Sequence, residues 1–222
     1  LEAKKWQVSR VSDSEISLTL ALKSGFNGNE GQILFNANYS LSEDNDLNIR
    51  LTVNSEKTVA IGPTAHPYFN LMGDDKDILQ HQLKLNSSSF TPVDEEGIPT
   101  GEIVPCNGSG FSFENFVPIA NLNSGNIDNN FLIDSSAVKE GATFNSPVVH
   151  AQVKSPDEKL MLTAKSNYPA IQIYTGKHLQ PPINAYQGFC LEPQFCPNSP
   201  NEESFPFRFT GPNNPLVVDI IY

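Results

Sequence analysis

The sequence predicts an all-β protein on the strength of three observations. In the first quarter of the chain, apolar and polar residues alternate with the period of two that puts every second side chain on one face of a strand. No stretch of helical length repeats its apolar residues about every 3.6 positions. The 17 prolines and 14 glycines among 222 residues would also interrupt most helices.

The first predicted strands form an antiparallel meander. Their alternating segments are residues 16–22, 33–41 and 47–53. A glycine-rich turn at residues 25–31 separates the first two strands, and an acidic turn at residues 43–46 precedes the third. Because only alternate residues are apolar, we expect one face of this sheet to be solvated. A further apolar run at residues 59–61 is predicted to begin the strand that leads to His66.

The rest of the chain combines irregular connections with shorter predicted strands. Residues 74–116 are rich in turns, which predicts connections that run over a sheet face. The remaining strand predictions are residues 82–85, 103–104, 131–133, 148–153, 159–164, 170–174, 189–191 and 216–221. The sequence contains no internal repeat, low-complexity tract or linker, so we expect a single domain over residues 1–222.

The charge of the chain limits its partners. A formal net charge of -11 would repel nucleic acid and anionic membranes, and the 14 lysines and arginines are scattered, so they form no basic patch. No apolar run approaches the roughly 18 residues that a membrane-spanning helix needs. We therefore expect a protein that binds neither nucleic acid nor membranes.

The cysteines and histidines predict neither a disulfide framework nor a metal site. Three cysteines, Cys106, Cys190 and Cys196, cannot all pair, and they lack the short paired spacing of a zinc site. The histidines at positions 81, 150 and 178 have no metal-ligand spacing either. Buried free thiols predict a soluble protein in a reducing compartment, and we expect the cytoplasm.

His66 and Glu192 are the candidate catalytic residues. His66 lies in the string TAHPYFNL. Histidine side chains can donate a proton and recover it within one turnover, so His66 could act as an acid; the alternative is a structural core histidine. Glu192 lies in GFCLEPQF, where apolar neighbours would desolvate a carboxylate and raise its pKa towards that of a general base. The alternative for Glu192 is a solvated surface group.

Asp128 and Gln172 are the candidate binding residues. Asp128, in GNIDNNFLID, precedes a predicted strand and equally fits a turn. Gln172 alternates with two isoleucines in AIQIYTG, so it points to the opposite face, towards either a ligand or water. Tyr68, Phe69 and Tyr174 could stack on the face of a ligand, although aromatic residues on strands more often belong to the core.

Five strings, in this order along the chain, resemble the aldose 1-epimerases, also called galactose mutarotases. They are TAHPYFNL, DEEGIPTGEIVP, IDNNF, QIYTG and CLEPQFCPNSPN. The resemblance implies a galactose-mutarotase-like β-supersandwich of antiparallel sheets that uses no cofactor. It also implies interconversion of the α and β anomers of a free aldose, with Glu192 as base, His66 as acid, and Asp128 and Gln172 on sugar hydroxyls. We expect His66 and Glu192 on one concave face, about a pyranose ring apart.

The resemblance also implies that family members carry a further arginine and histidine ahead of the region that matches Leu1. We therefore expect that this chain lacks the family's N-terminal segment, and that such a segment or a second chain completes the sheets. Two other functions remain open. One is a non-catalytic carbohydrate-binding module or accessory domain, and the other is a glycosidase that uses Asp128 and Glu192 as paired carboxylates.

Overall fold

The computed structural model describes residues 3–73, 75–134, 143 and 146–222, and their architecture confirms the all-β prediction. The strands are β1 (Gln7–Val11), β2 (Glu15–Leu22), β3 (Ile33–Leu41), β4 (Leu47–Ser55), β5 (Gln82–Leu85), β6 (Ser89–Thr91), β7 (Val104–Pro105), β8 (Val117–Pro118), β9 (Asp128–Leu132), β10 (Val148–Lys154), β11 (Met161–Ser166), β12 (Ala170–Tyr174), β13 (Cys190–Gln194) and β14 (Leu216–Ile221). Single turns of 3-10 helix lie at Phe26–Gly28, Ile119–Asn121, Asn123–Gly125 and Ser199–Asn201. None of the helices described has the length and apolar character needed to cross a membrane.

Contacts within the chain divide it into two compact units. The first runs as far as Pro63 and resumes at Arg208, and the second extends from Thr64 to Phe207. The expectations of a single domain and of a further segment or chain that completes the sheets stay predictions.

The first unit contains the predicted antiparallel meander. Its strands are adjacent in the order β1, β2, β3, β4 and β14, and β14 pairs with β4 from Leu216 opposite Val53 onwards. The two-residue alternation has the predicted effect in the middle of these strands, where alternate residues are buried and the residues between them are not. The buried ones are Ile33, Phe35 and Ala37 of β3 and Ile49, Leu51 and Val53 of β4, whereas Leu41 at the end of β3 is exposed. β1 is exposed along its whole length.

The second unit contains two groups of antiparallel strands. In one group β11, β10, β5 and β8 are adjacent in that order, and in the other the order is β13, β12, β9, β6 and β7. β12 extends over the residues predicted for it, and β13 is longer than predicted, since it continues to Gln194. Asp128, Gln172 and Glu192 lie on strands of this second group, and His66 lies beside it.

The strand predicted to lead from residues 59–61 to His66 is wrong. Val59 makes only an isolated bridge, to Thr210, and residues 60–68 form no strand. The physical reason is the two prolines at positions 63 and 67, which lack the N–H group that a strand ladder needs. His66 therefore lies on an irregular segment.

Candidate active site

Three neighbouring strands of the second unit place polar side chains on one face. Residues directly opposite one another in an antiparallel sheet point to the same side. β12 lies between β9 and β13, so Gln172 is opposite Asn130 on one side and opposite Glu192 on the other. The polar residues of this face are Asp128, Asn130, Gln172, Tyr174, Glu192 and Gln194, together with Cys190.

The opposite face of the same strands anchors them in the core. Its apolar side chains are almost completely buried, and they are Phe131, Ile171, Ile173 and Leu191. Burying side chains of this size stabilises the fold by about 1.5 to 3 kcal/mol each. The alternation that fixes the core therefore also fixes which side chains form the polar face.

His66 is held beside β13 by contacts on both sides of it in the sequence. The Thr64 hydroxyl donates a hydrogen bond to the Pro193 carbonyl oxygen at 2.6 Å. Phe69 and Phe189 exchange two backbone hydrogen bonds, of 2.8 and 3.0 Å. The segment between these contacts therefore follows β13, the outermost strand of its group, and brings His66 to the polar face.

Two further features fix the segment that carries His66. Pro67 restricts the residue before it to extended conformations. Further along the chain, the Leu71 N–H donates a hydrogen bond of 3.1 Å to Nε2 of His81. Burial lowers the pKa of His81, which keeps its ring neutral and able to accept this hydrogen bond. His81 is thus a structural histidine.

His66 and Glu192 form a close acid–base pair. Nε2 of His66 lies 3.4 Å from Oε1 of Glu192, and the two side chains are 50% and 7% exposed. Burial, followed by the nearby charge of Asp128, raises the pKa of Glu192 to about 7. The separation is shorter than the expected pyranose width. It suits anomer chemistry because the anomeric hydroxyl and the ring oxygen are bonded to the same carbon.

Asp128 and Gln172 are hydrogen-bonded to each other on the same face. The Gln172 amide donates to Oδ1 of Asp128 at 2.7 Å. The start of β9 is fixed by a hydrogen bond of 3.0 Å from the Ile127 N–H to the buried Thr175 hydroxyl. Gln172 keeps a second N–H and its carbonyl oxygen, so the pair presents donors and acceptors to a ligand with several hydroxyls.

Two tyrosines border the acid–base pair. The ring of Tyr68 lies 5.1 Å from that of His66 and 6.3 Å from that of Tyr174, in an edge-on arrangement with the latter. Burial, together with nearby ionisable groups, raises the pKa of Tyr68 to about 12, so its hydroxyl stays protonated. Phe69, by contrast, packs against the buried Phe189, with 6.0 Å between the ring centres.

A small open cavity of about 300 Å³, hereafter the cleft, joins these groups, and its volume falls at the lower end of the range for small-molecule sites. Its lining residues are His66, Asp128, Gln172, Tyr174, Glu192, Gln194 and Pro197. All four candidate site residues therefore meet in one cavity. A larger cavity of about 850 Å³ next to β5 and β10 contains none of them, so the cleft is the candidate active site.

Cys190 is a neighbour of the pair that sequence reasoning did not single out. Its Sγ lies 3.4 Å from Nδ1 of His66. Burial and the nearby Glu192 raise the pKa of its thiol, so the sulfur is protonated. The alternation Cys190, Glu192, Gln194 along one strand was the available signal, because residues two apart share a face. The same signal would have identified Gln194.

The protein is therefore an antiparallel all-β protein. Its cleft is lined by polar side chains and contains both His66 and Glu192, a histidine and a carboxylate in contact. The family model for aldose 1-epimerase matches residues 1–222, and the chain belongs to that family.

Two curated relatives illustrate the sequence similarity. The chain is 30% identical over 221 residues to the aldose 1-epimerase of Escherichia coli (strain K12), covering 92% of this chain and 62% of the relative. It is also 30% identical over 210 residues to the galactose mutarotase of Sus scrofa, covering 89% of this chain and 59% of the relative. The chain thus spans about three fifths of the length of these relatives.

Solved structures support the fold. A GalM/aldose epimerase homologue from C. elegans matches with a TM-score of 0.86 at 24% identity, covering 99% of this chain and 68% of that one. A galactose 1-epimerase from Lactobacillus acidophilus NCFM matches with a TM-score of 0.77 at 24% identity, covering 97% and 65%. These matches confirm the galactose-mutarotase-like β-supersandwich of antiparallel sheets.

Proposed function

We propose that this protein is an aldose 1-epimerase that interconverts the α and β anomers of a free hexose of the glucose or galactose type. The observation that carries the proposal is the acid–base pair in the cleft, with Nε2 of His66 only 3.4 Å from Oε1 of Glu192. Anomer interconversion needs one group to accept a proton from the anomeric hydroxyl and another to protonate the ring oxygen.

Ring opening uses both groups at once. Glu192 takes the proton of the anomeric hydroxyl while His66 gives a proton to the ring oxygen. The bond between the anomeric carbon and the ring oxygen breaks, and a carbonyl group forms. After the aldehyde end rotates, the ring closes on the other face of the carbonyl. Glu192 then returns its proton to the carbonyl oxygen, and His66 takes one from the attacking hydroxyl, so both residues recover their starting states.

The environment of Glu192 supports its role as the base. A carboxylate with an ordinary pKa is too weakly basic to remove a hydroxyl proton efficiently, whereas a pKa near the working pH favours transfer in both directions. Burial raises the pKa of Glu192 to about 7. General acid and general base each contribute roughly 10²- to 10⁴-fold. That is sufficient for a reaction that also proceeds in water without an enzyme.

Asp128 and Gln172 orient the sugar in this proposal. Both line the cleft, and their mutual hydrogen bond of 2.7 Å fixes the two side chains before the ligand arrives. A preorganised pair of this kind aligns sugar hydroxyls at a low entropic cost. Three free cysteines support a location in the cytoplasm, where thiols stay reduced.

Polarimetry tests the proposed function. Freshly dissolved α-D-glucose or α-D-galactose changes its optical rotation slowly by itself, and we expect the protein to accelerate that change in proportion to its concentration. In a parallel assay, the protein should release no free hexose from lactose or maltose. An unaccelerated change in rotation with both hexoses would favour the sugar-binding module, and release of free hexose would favour the glycosidase.

A further inference from the structure

Three side chains with different metal-binding atoms converge beside the cleft. An imidazole nitrogen of His66, the sulfur of Cys190 and a carboxylate oxygen of Glu192 all lie within 4.8 Å of one another. Cys190 and Glu192 are two residues apart on β13 and therefore point to the same side. His66 is brought to them by the segment held between Thr64 and Phe69.

Two of the separations between these side chains are close to those in a tetrahedral metal site. Bonds of about 2.3 Å to sulfur and about 2.0 to 2.2 Å to nitrogen and oxygen imply neighbouring ligand atoms about 3.5 Å apart. The Cys190 Sγ to His66 Nδ1 distance is 3.4 Å, and the His66 Nε2 to Glu192 Oε1 distance is also 3.4 Å.

One adjustment is needed, because these two contacts involve different nitrogens of the ring and a metal ion binds only one. The His66 side chain is 50% exposed whereas Glu192 is buried, so the site requires the His66 ring to turn and present one nitrogen to the sulfur and the carboxylate. Cys190 and Glu192 lie on a paired strand, which fixes their backbone and keeps both side chains on one side.

The chemistry of the donors selects the kind of ion. Thiolate and imidazole ligands suit Zn²⁺ and similar soft or borderline cations, whereas Mg²⁺ and Ca²⁺ prefer sites built from oxygen ligands. Three protein ligands leave a fourth position for water or a sugar hydroxyl. The sequence predicted no metal site because no histidines or cysteines have the short spacing of metal ligands along the chain. That spacing could not reveal this group, because His66 and Cys190 are about 120 residues apart in the sequence.

We propose that His66, Cys190 and Glu192 bind Zn²⁺ and that the ion inhibits the enzyme at its acid–base pair. On binding, the thiol proton and the proton that His66 carries as the acid are released to solvent. Bonds from zinc to the sulfur, the imidazole nitrogen and the carboxylate oxygen replace bonds to water, and no group is oxidised or reduced. The bound ion occupies the Glu192 oxygen and the His66 nitrogen that proton transfer requires. The inhibition rests on the proposed function, but the binding does not.

The chain offers matched controls for the sulfur ligand. Cys106 and Cys196 are also free and buried. Among the described residues, neither belongs to a group of histidine, cysteine and acidic side chains close enough to share a metal ion. Replacing either of them by serine removes a thiol without touching the proposed site.

Cobalt spectroscopy tests the binding. Co²⁺ would be titrated into the full 222-residue chain after EDTA treatment and in a phosphine reductant, because Co²⁺ reports sulfur ligation and tetrahedral geometry through its absorption. We expect a thiolate-to-cobalt charge-transfer band that saturates at one ion per chain and is displaced by Zn²⁺. Cys106→Ser and Cys196→Ser should keep the band, and Cys190→Ser should lose it. A wild-type chain without the band, or a Cys190→Ser variant that keeps it, would overturn the site.

Enzyme inhibition is the second measurement. Zn²⁺ but not Mg²⁺ should slow anomer interconversion, and EDTA should restore the rate. Cys190→Ser, compared with its own metal-free rate, should weaken the inhibition by more than the roughly 10- to 100-fold expected for loss of an outer-shell partner. An active chain that binds Zn²⁺ but is not inhibited by it would overturn the inhibitory role. A chain that binds Zn²⁺ and catalyses nothing would leave the metal site standing and contradict the proposed function.

Discussion

Glu192 and His66 differ in their exposure to solvent, and that difference supports the roles that we propose for them. Glu192 is almost completely buried, with its pKa raised to about 7, whereas the His66 side chain is half exposed. A buried carboxylate is a stronger base than an exposed one because water does not stabilise its charge. A half-exposed imidazole, by contrast, can reach the ring oxygen of a bound sugar and exchange its proton.

Replacing His66 by Asn tests the acid. Asn is polar and smaller and cannot carry the proton, so we expect the kcat of anomer interconversion to fall by roughly 10²-fold or more. The KM should change less, because we propose that Asp128 and Gln172 bind the sugar. His178 is another exposed histidine, so His178→Asn is the matched control. Equal losses of kcat in both variants would argue against a specific role for His66.

Replacing Asp128 by Ala tests sugar binding. The variant loses a carboxylate that lines the cleft and frees the Gln172 amide that it now holds. We expect the KM for the hexose to rise by roughly tenfold or more, since a hydrogen bond to a charged group contributes about 1.5 to 3 kcal/mol. Asp44→Ala, in an exposed turn of the first unit, is the control. An unchanged KM would leave Asp128 with a structural role only.

The strands differ in how well the sequence predicted them. β12 and β14 have the predicted bounds because their alternating apolar residues bury one face. β1 was not predicted, and its complete exposure explains why, since an unburied strand needs no apolar alternation. Glu192 was expected at a strand end because Pro193 follows it. A proline is tolerated within β13 because β13 is the outermost strand of its group.

The turn after β12 contains a position that only glycine fills easily. Gly176 has a φ of 70°, and a Cβ atom there would lie 2.4 Å from the backbone oxygen of Gly188. This close approach packs the turn against the residues that lead into β13. Gly97 also has a positive φ, of 80°, but a Cβ atom there would meet nothing within 4 Å. Comparing substitutions at Gly176 and Gly97 therefore separates the cost of backbone strain from the cost of steric overlap.

We expect Gly176→Ala to be clearly more destabilising than Gly97→Ala. Gly97→Ala should cost about 1 kcal/mol for the left-handed backbone alone. Gly176→Ala should cost at least about 2 kcal/mol more, because backbone must move to relieve the overlap. For a chain of this size, that extra cost lowers the melting temperature by roughly 4 to 8 °C. Equal melting temperatures for the two variants would contradict the close packing of this turn.

The candidate site is assembled by long-range strand pairing, which cannot be read from the order of residues in the sequence. The strings around His66 and Glu192 were identifiable, and so were Asp128 and Gln172. Their meeting in one cleft follows from the register of β9, β12 and β13 and from the segment beside β13. Cys190 was set aside with the other thiols because the pairing that brings it to His66 is long-range.

Acid stability is a property of the whole molecule that buried histidines influence. Burial lowers the pKa of His150 to about 3, against about 6.5 for the unfolded chain. Between these values the unfolded state binds more protons, so the free energy of unfolding falls as the pH falls below about 6.5. The raised pKa of Glu192 acts in the opposite direction between its unfolded value and about 7.

The variant His150→Gln isolates the contribution of His150 to the pH dependence of the free energy of unfolding. We expect wild-type protein to lose about 1 kcal/mol more per pH unit than His150→Gln between pH 6 and 5, because the variant has no proton to gain. Chemical denaturation of both proteins at several pH values measures the difference, in which the contribution of Glu192 cancels. Parallel pH dependences would show that His150 does not carry the acid sensitivity.

The rate of anomer interconversion by Glu192→Gln tests the central claim most directly. Gln keeps the volume and hydrogen bonding of the side chain but cannot accept the proton. We predict that the variant folds like the wild-type protein while its enzymatic rate falls by roughly 10²-fold or more. Glu203→Gln removes an exposed glutamate and should keep the wild-type rate. If Glu192→Gln equilibrated the anomers as fast as the wild-type protein, the assignment of Glu192 as the base would be contradicted.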